Sequence, residues 1–226
     1  KVKFTGIYHP TYYELPKNIS SNLKVVITIH DMIPEKLNNF DYNDKSFINK
    51  KNAAERANAI IAVSKNTKKD IIDIFKITPE KISVIPHGCS ILDVEEKNIQ
   101  FSINKPYVLF VGGRQTYKNF NIMLKSFLVS KISNSFSLIC VGGGKFSDKE
   151  KKMIKNANRA NDIIQINAND GELKNIYKKA SLLIVPSLYE GFGLPVLEGL
   201  ALGCPVIASN SSSIPEVLGD AGIYFD

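Results

Sequence analysis

The run Leu182-Leu183-Ile184-Val185-Pro186-Ser187-Leu188-Tyr189-Glu190-Gly191-Phe192-Gly193-Leu194-Pro195-Val196-Leu197-Glu198 holds a strand, a glycine loop and a helix start in succession. Leu182 to Val185 does not alternate apolar with polar residues, which suits a parallel strand buried on both faces. Gly191 and Gly193 permit unusual backbone angles and a close approach of ligand to main chain. Pro195 fits a first helical turn, and Gly203 before Pro205 fits a stop, so a helix is expected from Leu194 to Leu202. The free N–H groups and the positive end of its dipole favour an anion such as a phosphate. In open α/β sheets, ligands lie outside the carboxyl ends of the strands, where this loop falls.

Two glutamates bracket the junction. Glu198 stands among Val196, Leu197, Leu200 and Ala201. It reads either as a complement to the helix dipole or as an acceptor for ligand hydroxyls, as acidic residues are for ribose. Glu190 reads either as a solvated loop charge or as a ligand contact.

Outward from this core the pattern stays regular. Strands are expected at Tyr107 to Val111, Phe136 to Val141, Asp162 to Ile166, Pro205 to Ala208 and Gly222 to Phe225, with helical patterns between most of them. That alternation argues for a doubly wound parallel sheet. The first part offers strands at Val25 to Ile29, Ala59 to Val63 and Ile82 to Ile85, a helix over Ser46 to Asn58, and Ser64 as N-cap of a helix reaching Lys76. The polar, irregular stretch from Cys89 to Lys105 is the linker candidate, dividing the chain into 1–103 and 104–226.

The motif Glu190-Gly191-Phe192-Gly193-Leu194-Pro195-Val196-Leu197-Glu198 resembles that of the retaining glycosyltransferases of family 4, two glutamates separated by seven residues. The resemblance continues through Ala201 to Ser209 and Ile214 to Val217, and covers most of the chain. It implies a GT-B fold: two Rossmann-like domains, a C-terminal one binding a nucleotide sugar and an N-terminal one binding mainly the acceptor. Against that family the N-terminal strands and the closing C-terminal helices read as missing, so the N-terminal domain is expected to be incomplete.

Val111-Gly112-Gly113-Arg114-Gln115-Thr116-Tyr117-Lys118-Asn119 leaves a strand through two glycines and resembles the family's phosphate motif. Arg114 has a guanidinium able to fork onto phosphate oxygens, and Lys118 supplies a point charge. Arg114 lies one place later than in the commonest form of that motif. Lys118, followed by Asn119, is the better match. The loop Gly142-Gly143-Gly144 and the loop around Asn167 to Asp170 fall where the family holds its nucleotide. His30-Asp31-Met32-Ile33-Pro34-Glu35 follows a strand and resembles a segment of mannosyltransferase-like members, in which the histidine faces the donor sugar. His9 and His87 have no such context and read as structural or solvated.

These readings assign His30, Arg114, Lys118 and Glu190 to catalysis. Gly113, Gly191, Phe192, Gly193, Leu194 and Glu198 are assigned to substrate binding. The chain shows no Asp-x-Asp metal motif, and the resemblance implies neither metal nor cofactor beyond the donor itself. The expected activity is retaining transfer of a sugar, mannose by the His30 to Glu35 segment, from a nucleotide diphosphate to a surface polysaccharide or lipid-linked glycan. A sugar-nucleotide epimerase of the same fold and a non-catalytic nucleotide-sugar-binding protein are the alternatives.

Composition limits other classes. The chain has 226 residues, 44% hydrophobic, and a net charge of +7 from 29 basic and 22 acidic side chains. The lysines are dispersed as solvated helix faces, and no nucleic-acid motif accompanies them. No apolar run approaches the roughly 20 residues of a membrane span. No secretory leader is visible at Lys1, where the chain reads as already inside a fold. Cys89, Cys140 and Cys204 are isolated, which fits buried thiols in a reducing cytoplasm. The expected location is cytoplasmic, with a peripheral contact at the inner membrane face through the lipid-linked acceptor.

Overall fold

The computed structural model describes residues 5–16, 22–37, 45–99, 105–114 and 116–226. The expected domain boundary at 103/104 falls outside them. Compactness divides the chain elsewhere. One unit comprises Lys1–His87 with Glu190–Phe192, and the other comprises Gly88–Tyr189 with Gly193–Asp226.

The first unit carries β1 (Gly6–Tyr8), β2 (Leu23–Ile29), α1 (Ile33–Lys36), α2 (Lys45–Arg56), β3 (Ala59–Ala62), α3 (Lys65–Phe75) and β4 (Ile82–Val84). Its strands form one parallel sheet in the order β1-β2-β3-β4. Val25, Ile27 and Ile29 of β2 are buried, with Ala53 and Ala54 of α2 and Ile71 and Phe75 of α3 in the same core. The alternate residues Val26 and Thr28 are only half buried, so one face of this sheet is packed more fully than the other. Ser64 caps α3 as its sequence position suggests, its hydroxyl accepting from the Thr67 N–H at 3.0 Å. Lys76, at φ 57°, closes that helix in the left-handed region.

The second unit carries β5 (Tyr107–Val111), α4 (Phe120–Val129), α5 (Ile132–Ser135), β6 (Ser137–Val141), α6 (Asp148–Asn156), β7 (Ile163–Ile166), α7 (Asp170–Lys179), β8 (Leu182–Val185), α8 (Leu194–Ala201), β9 (Val206–Ser209), α9 (Ile214–Leu218) and β10 (Ile223–Phe225). All six strands are parallel, in the order β10-β9-β8-β5-β6-β7. The two faces of the sheet have separate cores. Leu109, Ile139 and Leu183 pack with Ile176 and Tyr177 of α7, Val196 of α8 and Ile214 of α9. Val108, Phe110, Leu138 and Cys140 pack with Phe120 and Leu124 of α4 and Ile154 of α6. Burial on both faces explains why these strands read as unbroken apolar runs.

The described part of the stretch expected as a linker, up to Ile99, is anchored to α7. Ile91 is buried, the Lys97 N–H donates to the Gly171 carbonyl at 3.0 Å, and Lys174 Nζ donates to the Leu92 and Val94 carbonyls at 2.7 and 2.8 Å. A Cβ on Gly171 would lie 2.5 Å from the Glu95 carbonyl oxygen. The Glu96 carboxylate also accepts from Asn175 Nδ2 at 2.7 Å. The three cysteines are free thiols, and burial pushes the Cys204 thiol up to about 11. Among the described residues, no helix is long and apolar enough to cross a membrane.

Candidate functional site

Strands β6 and β7 extend from β5 in one direction, and β8, β9 and β10 extend from it in the other. The strand order therefore reverses between β5 and β8. The chains leaving the carboxyl ends of these two strands diverge to opposite faces of the sheet and open a crevice, the usual ligand position in such sheets. From β5 the chain leaves through Gly112, at φ 129°, and Gly113. From β8 it leaves through Pro186 to Leu188. The two exits are tied together, because the Leu188 N–H donates to the Tyr117 carbonyl at 2.7 Å. Next to it stands Lys118, whose ammonium lies 5.5 Å from the centroid of the Tyr117 ring. Asn119 then enters α4 from a left-handed conformation at φ 55°.

Helix α8 begins after Gly193, whose φ of 103° only glycine adopts readily, with Pro195 in its first turn. Glu198 sits one turn further on and is half buried. Burial raises its carboxyl above the usual range; the Tyr177 hydroxyl, donating to Oε2 at 2.8 Å, pulls it back, and the charge of Asp170 raises it. Tyr177 is fully buried, and burial followed by the Glu198 charge holds its phenol well above 10. A buried tyrosine that orients a carboxylate is a stronger arrangement than a dipole complement requires. An ionised carboxylate has about four lone-pair sites, so Glu198 keeps acceptor capacity beside this bond.

Arg114 is placed differently from the phosphate fork read in the sequence. Its Nε donates to Glu150 Oε1 at 3.2 Å and its Nη1 to the Gly142 carbonyl at 3.2 Å. Its Nη2 donates to the Gly144 and Lys145 carbonyls at 2.8 and 2.7 Å. The guanidinium carbon also lies 5.4 and 5.1 Å from the ring centroids of Phe120 and Phe146. The side chain is only 7% exposed. Its fork is occupied by main-chain carbonyls, so Arg114 moulds the loop Gly142-Gly143-Gly144, whose φ angles are 84°, 71° and 71°. A Cβ on Gly143 would meet Arg114 Nη1 at 2.8 Å. The braced loop, with Gly113, Asn121, Ser147, Lys145 and Lys149, borders a depression of about 480 Å³. Lys118, the other cation read from this motif, has its ammonium beside the Tyr117 ring.

The segment Glu190–Phe192 lies with the first unit, which divides the nine-residue motif. Gly191 is required there by the protein's own main chain: a Cβ on it would lie 1.9 Å from the His30 carbonyl oxygen. The Gly191 carbonyl accepts from Ser64 Oγ at 2.7 Å and Thr67 Oγ1 at 3.0 Å. The first turn of α3 thus holds this loop as well as its own cap. Glu190 is buried, contrary to its reading as a solvated loop charge. Phe192 packs edge-on against His87, centroids 5.3 Å apart and planes at 84°.

His30 directly follows β2 and is exposed. Its Nδ1 lies 3.4 Å from His87 Nε2, and the two rings are parallel within 4°. His87, which had no sequence context, is thus brought against the histidine that had one. The rest of the His30 to Glu35 segment is structural. Asp31 Oδ1 accepts from the Ile33 N–H at 3.0 Å, and Glu35 forms a buried pair with Lys50, whose ammonium donates to Glu35 Oε2 at 3.0 Å and to the Asp31 carbonyl at 3.2 Å. Ser64, Thr67, Tyr177 and His87 carried no functional signal in the sequence, because each acts through a contact distant along the chain.

Comparison with known proteins places these features in a family. Residues 93–225 match the model of glycosyl transferases group 1, and residues 7–91 match that of glycosyltransferase family 4. The O-antigen chain mannosyltransferase B of Escherichia coli is 30% identical, over 97% of this chain and 61% of its own length. The O-antigen chain mannosyltransferase RfbU of Salmonella typhimurium is 31% identical, over 88% of this chain and 55% of its own. The chain thus spans little more than half the length of these relatives. Among solved structures, HepE of Anabaena, in complex with UDP and glucose, superposes with a TM-score of 0.71 at 18% identity, over 89% of this chain and 57% of its own. TarM of S. aureus, solved with UDP among its ligands, gives 0.72 at 21% identity, over 93% of this chain and 42% of its own. The fold is therefore GT-B, with two parallel sheets of four and six strands among the described residues, and the chain belongs to the group 1 glycosyltransferases.

Proposed function

We propose that this protein is a retaining glycosyltransferase that transfers mannose from a nucleotide-diphosphate donor to a surface polysaccharide or lipid-linked glycan. The observation that carries the donor assignment is the tie between Leu188 and Tyr117, which joins the exits of β5 and β8 at the switch point. The names of the mannosyltransferase relatives support the sugar, and their O-antigen role supports the acceptor class. The UDP in the HepE and TarM structures supports a nucleotide diphosphate.

In this reading Lys118 and the N-terminus of α8 stabilise the charge that develops on the departing diphosphate. Gly113, Gly193 and Leu194 let the main chain approach it. Glu198, oriented by Tyr177, accepts the ribose hydroxyls. Arg114 shapes the glycine loop instead of touching phosphate. Contact with the transferred sugar is assigned to His30, Glu190 and the Gly191–Phe192 backbone through the family resemblance. The bond from the anomeric carbon to the donor oxygen breaks, and a bond to the acceptor oxygen forms on the same face. The acceptor proton passes to a leaving-phosphate oxygen. Neither metal nor cofactor is assigned a part. The protein works in the cytoplasm, peripherally at the membrane that carries its acceptor.

The test is a thermal-shift series of this chain with GDP, UDP, ADP, GDP-mannose and UDP-glucose, repeated with Lys118→Ala and Glu198→Ala. Stabilisation by one nucleotide, lost in both variants, is expected. No stabilisation of the unaltered chain, or full retention in both variants, overturns the donor assignment. Transfer itself is tested by release of nucleoside diphosphate with a lipid-linked mannan primer, and retention by the anomeric coupling constant of the product.

A further inference from the structure

We propose that His87 is a positioning residue for His30: it fixes the ring of His30 and the nitrogen that carries its proton, so that Nε2 is presented in one defined state. The inference rests on the reading of His30 as a sugar contact.

The geometry has three parts. The main chain at His30 is set by its close packing on Gly191, where a Cβ would come within 1.9 Å of the His30 carbonyl oxygen. That contact does not fix the ring, which stands exposed at the end of β2 and would otherwise sample several rotamers. The ring is held by His87 Nε2, 3.4 Å from its Nδ1, with the two planes parallel within 4°. His87 is itself packed against the edge-on ring of Phe192, with centroids 5.3 Å apart.

Two nitrogens in hydrogen-bond contact share one proton. If Nδ1 of His30 carries it, Nε2 of His30 is a lone-pair acceptor in the neutral ring. If Nε2 of His87 carries it, Nε2 of His30 carries a proton and donates. The tautomers of the two rings are thus coupled, which a lone exposed histidine lacks. A state with both rings fully protonated is disfavoured because the facing nitrogens would both be donors. Burial, and then the charge of His30, lowers the tendency of His87 to protonate, which keeps it neutral and available as the partner.

The test begins with long-range ¹H–¹⁵N spectra of the histidine side chains of this chain. His30 is expected to show one tautomer in the unaltered protein and in His87→Gln, whose amide also offers a donor and an acceptor. In His87→Phe the two ¹⁵N shifts of His30 are expected to converge towards their average. Averaged shifts in the unaltered protein, or shifts unmoved by His87→Phe, overturn the proposal. The second readout is GDP release from GDP-mannose, with water as acceptor. His87→Phe is expected to lower kcat about tenfold with little change in KM, the scale of one lost hydrogen bond, and His87→Gln to restore it. The double variant His30→Ala/His87→Phe is expected to be no slower than His30→Ala. Additive losses overturn the proposal. Unaltered turnover in His30→Ala refutes the reading of His30 itself, and the spectra then stand as a separate result on His87.

Discussion

Replacing Tyr177 with phenylalanine removes one oxygen and isolates the bond on which the Glu198 assignment depends. Tyr177 is fully buried in the core beneath β5 and β8, and its hydroxyl donates to Glu198 Oε2 at 2.8 Å. The ring of Phe fills the same space, so no large cavity forms. What is lost is a hydrogen bond to an ionised acceptor, worth about 1.5–3 kcal/mol, with a half-buried carboxylate left short of a donor. At 2–4 °C per kcal/mol for a chain of this size, Tm should fall by about 3–12 °C at pH 7.5. Loss of the one influence that lowers the Glu198 carboxyl should also raise it further. The assay is urea unfolding and differential scanning calorimetry of Tyr177→Phe, Glu198→Gln and the double variant. Against the neutral amide the bond is worth only about 0.5–1.5 kcal/mol, so the penalty of Tyr177→Phe should shrink in the Glu198→Gln background. An unchanged Tm at pH 7.5, or an equal penalty in both backgrounds, would refute the claim that this tyrosine orients a charged Glu198.

Three further outcomes follow from the same geometry. Arg114→Met should destabilise the chain by about 3 kcal/mol, since it breaks a buried pair with Glu150, whereas Lys118→Ala should weaken nucleotide binding about 10–150-fold; denaturation and calorimetric titration of both variants measure the two effects. Gly191→Ala should cost at least about 3 kcal/mol, because the added carbon would lie 1.9 Å from a carbonyl oxygen that cannot turn away, and a Tm equal to that of the unaltered chain would contradict the packing described. Nucleotide affinity should fall as pH drops and Glu198 protonates, with a midpoint above the usual carboxylate range because burial raises it; the same shift acts oppositely on the unliganded chain, whose share of stability from this group is full below the unfolded pKa and lost as pH rises through the folded one. Titrations from pH 5 to 8 should show this slope, and Glu198→Gln should flatten it.

The relation between Arg114 and Lys118 shows where sequence reading reached its limit. Both are cations near a glycine loop after β5, and both fit a phosphate by residue type. The distinction comes from Gly142 to Gly144, about 30 positions away, whose carbonyls turn inward through left-handed backbone and take up the guanidinium. The stretch after Cys89 holds a similar lesson: Glu96, polar and without local context, finds its partner Asn175 on α7, some 80 positions on.

The sequence by itself determined the α/β class, the bounds of most strands to within a residue or two, the Ser64 cap, the start of α8 and the Glu190 to Glu198 motif. Those are local matters: unbroken apolar runs encode strands buried on both faces, and caps and prolines act within one turn. The tertiary structure alone decided that Gly191 faces a protein carbonyl, that Glu198 is held by Tyr177, that Arg114 braces a loop and that His87 meets His30. Each of these depends on a hydrogen bond or a steric contact between residues that parallel crossovers bring together from 20 to more than 150 positions apart. Spacing along a chain carries no record of such distances until the strand order is fixed.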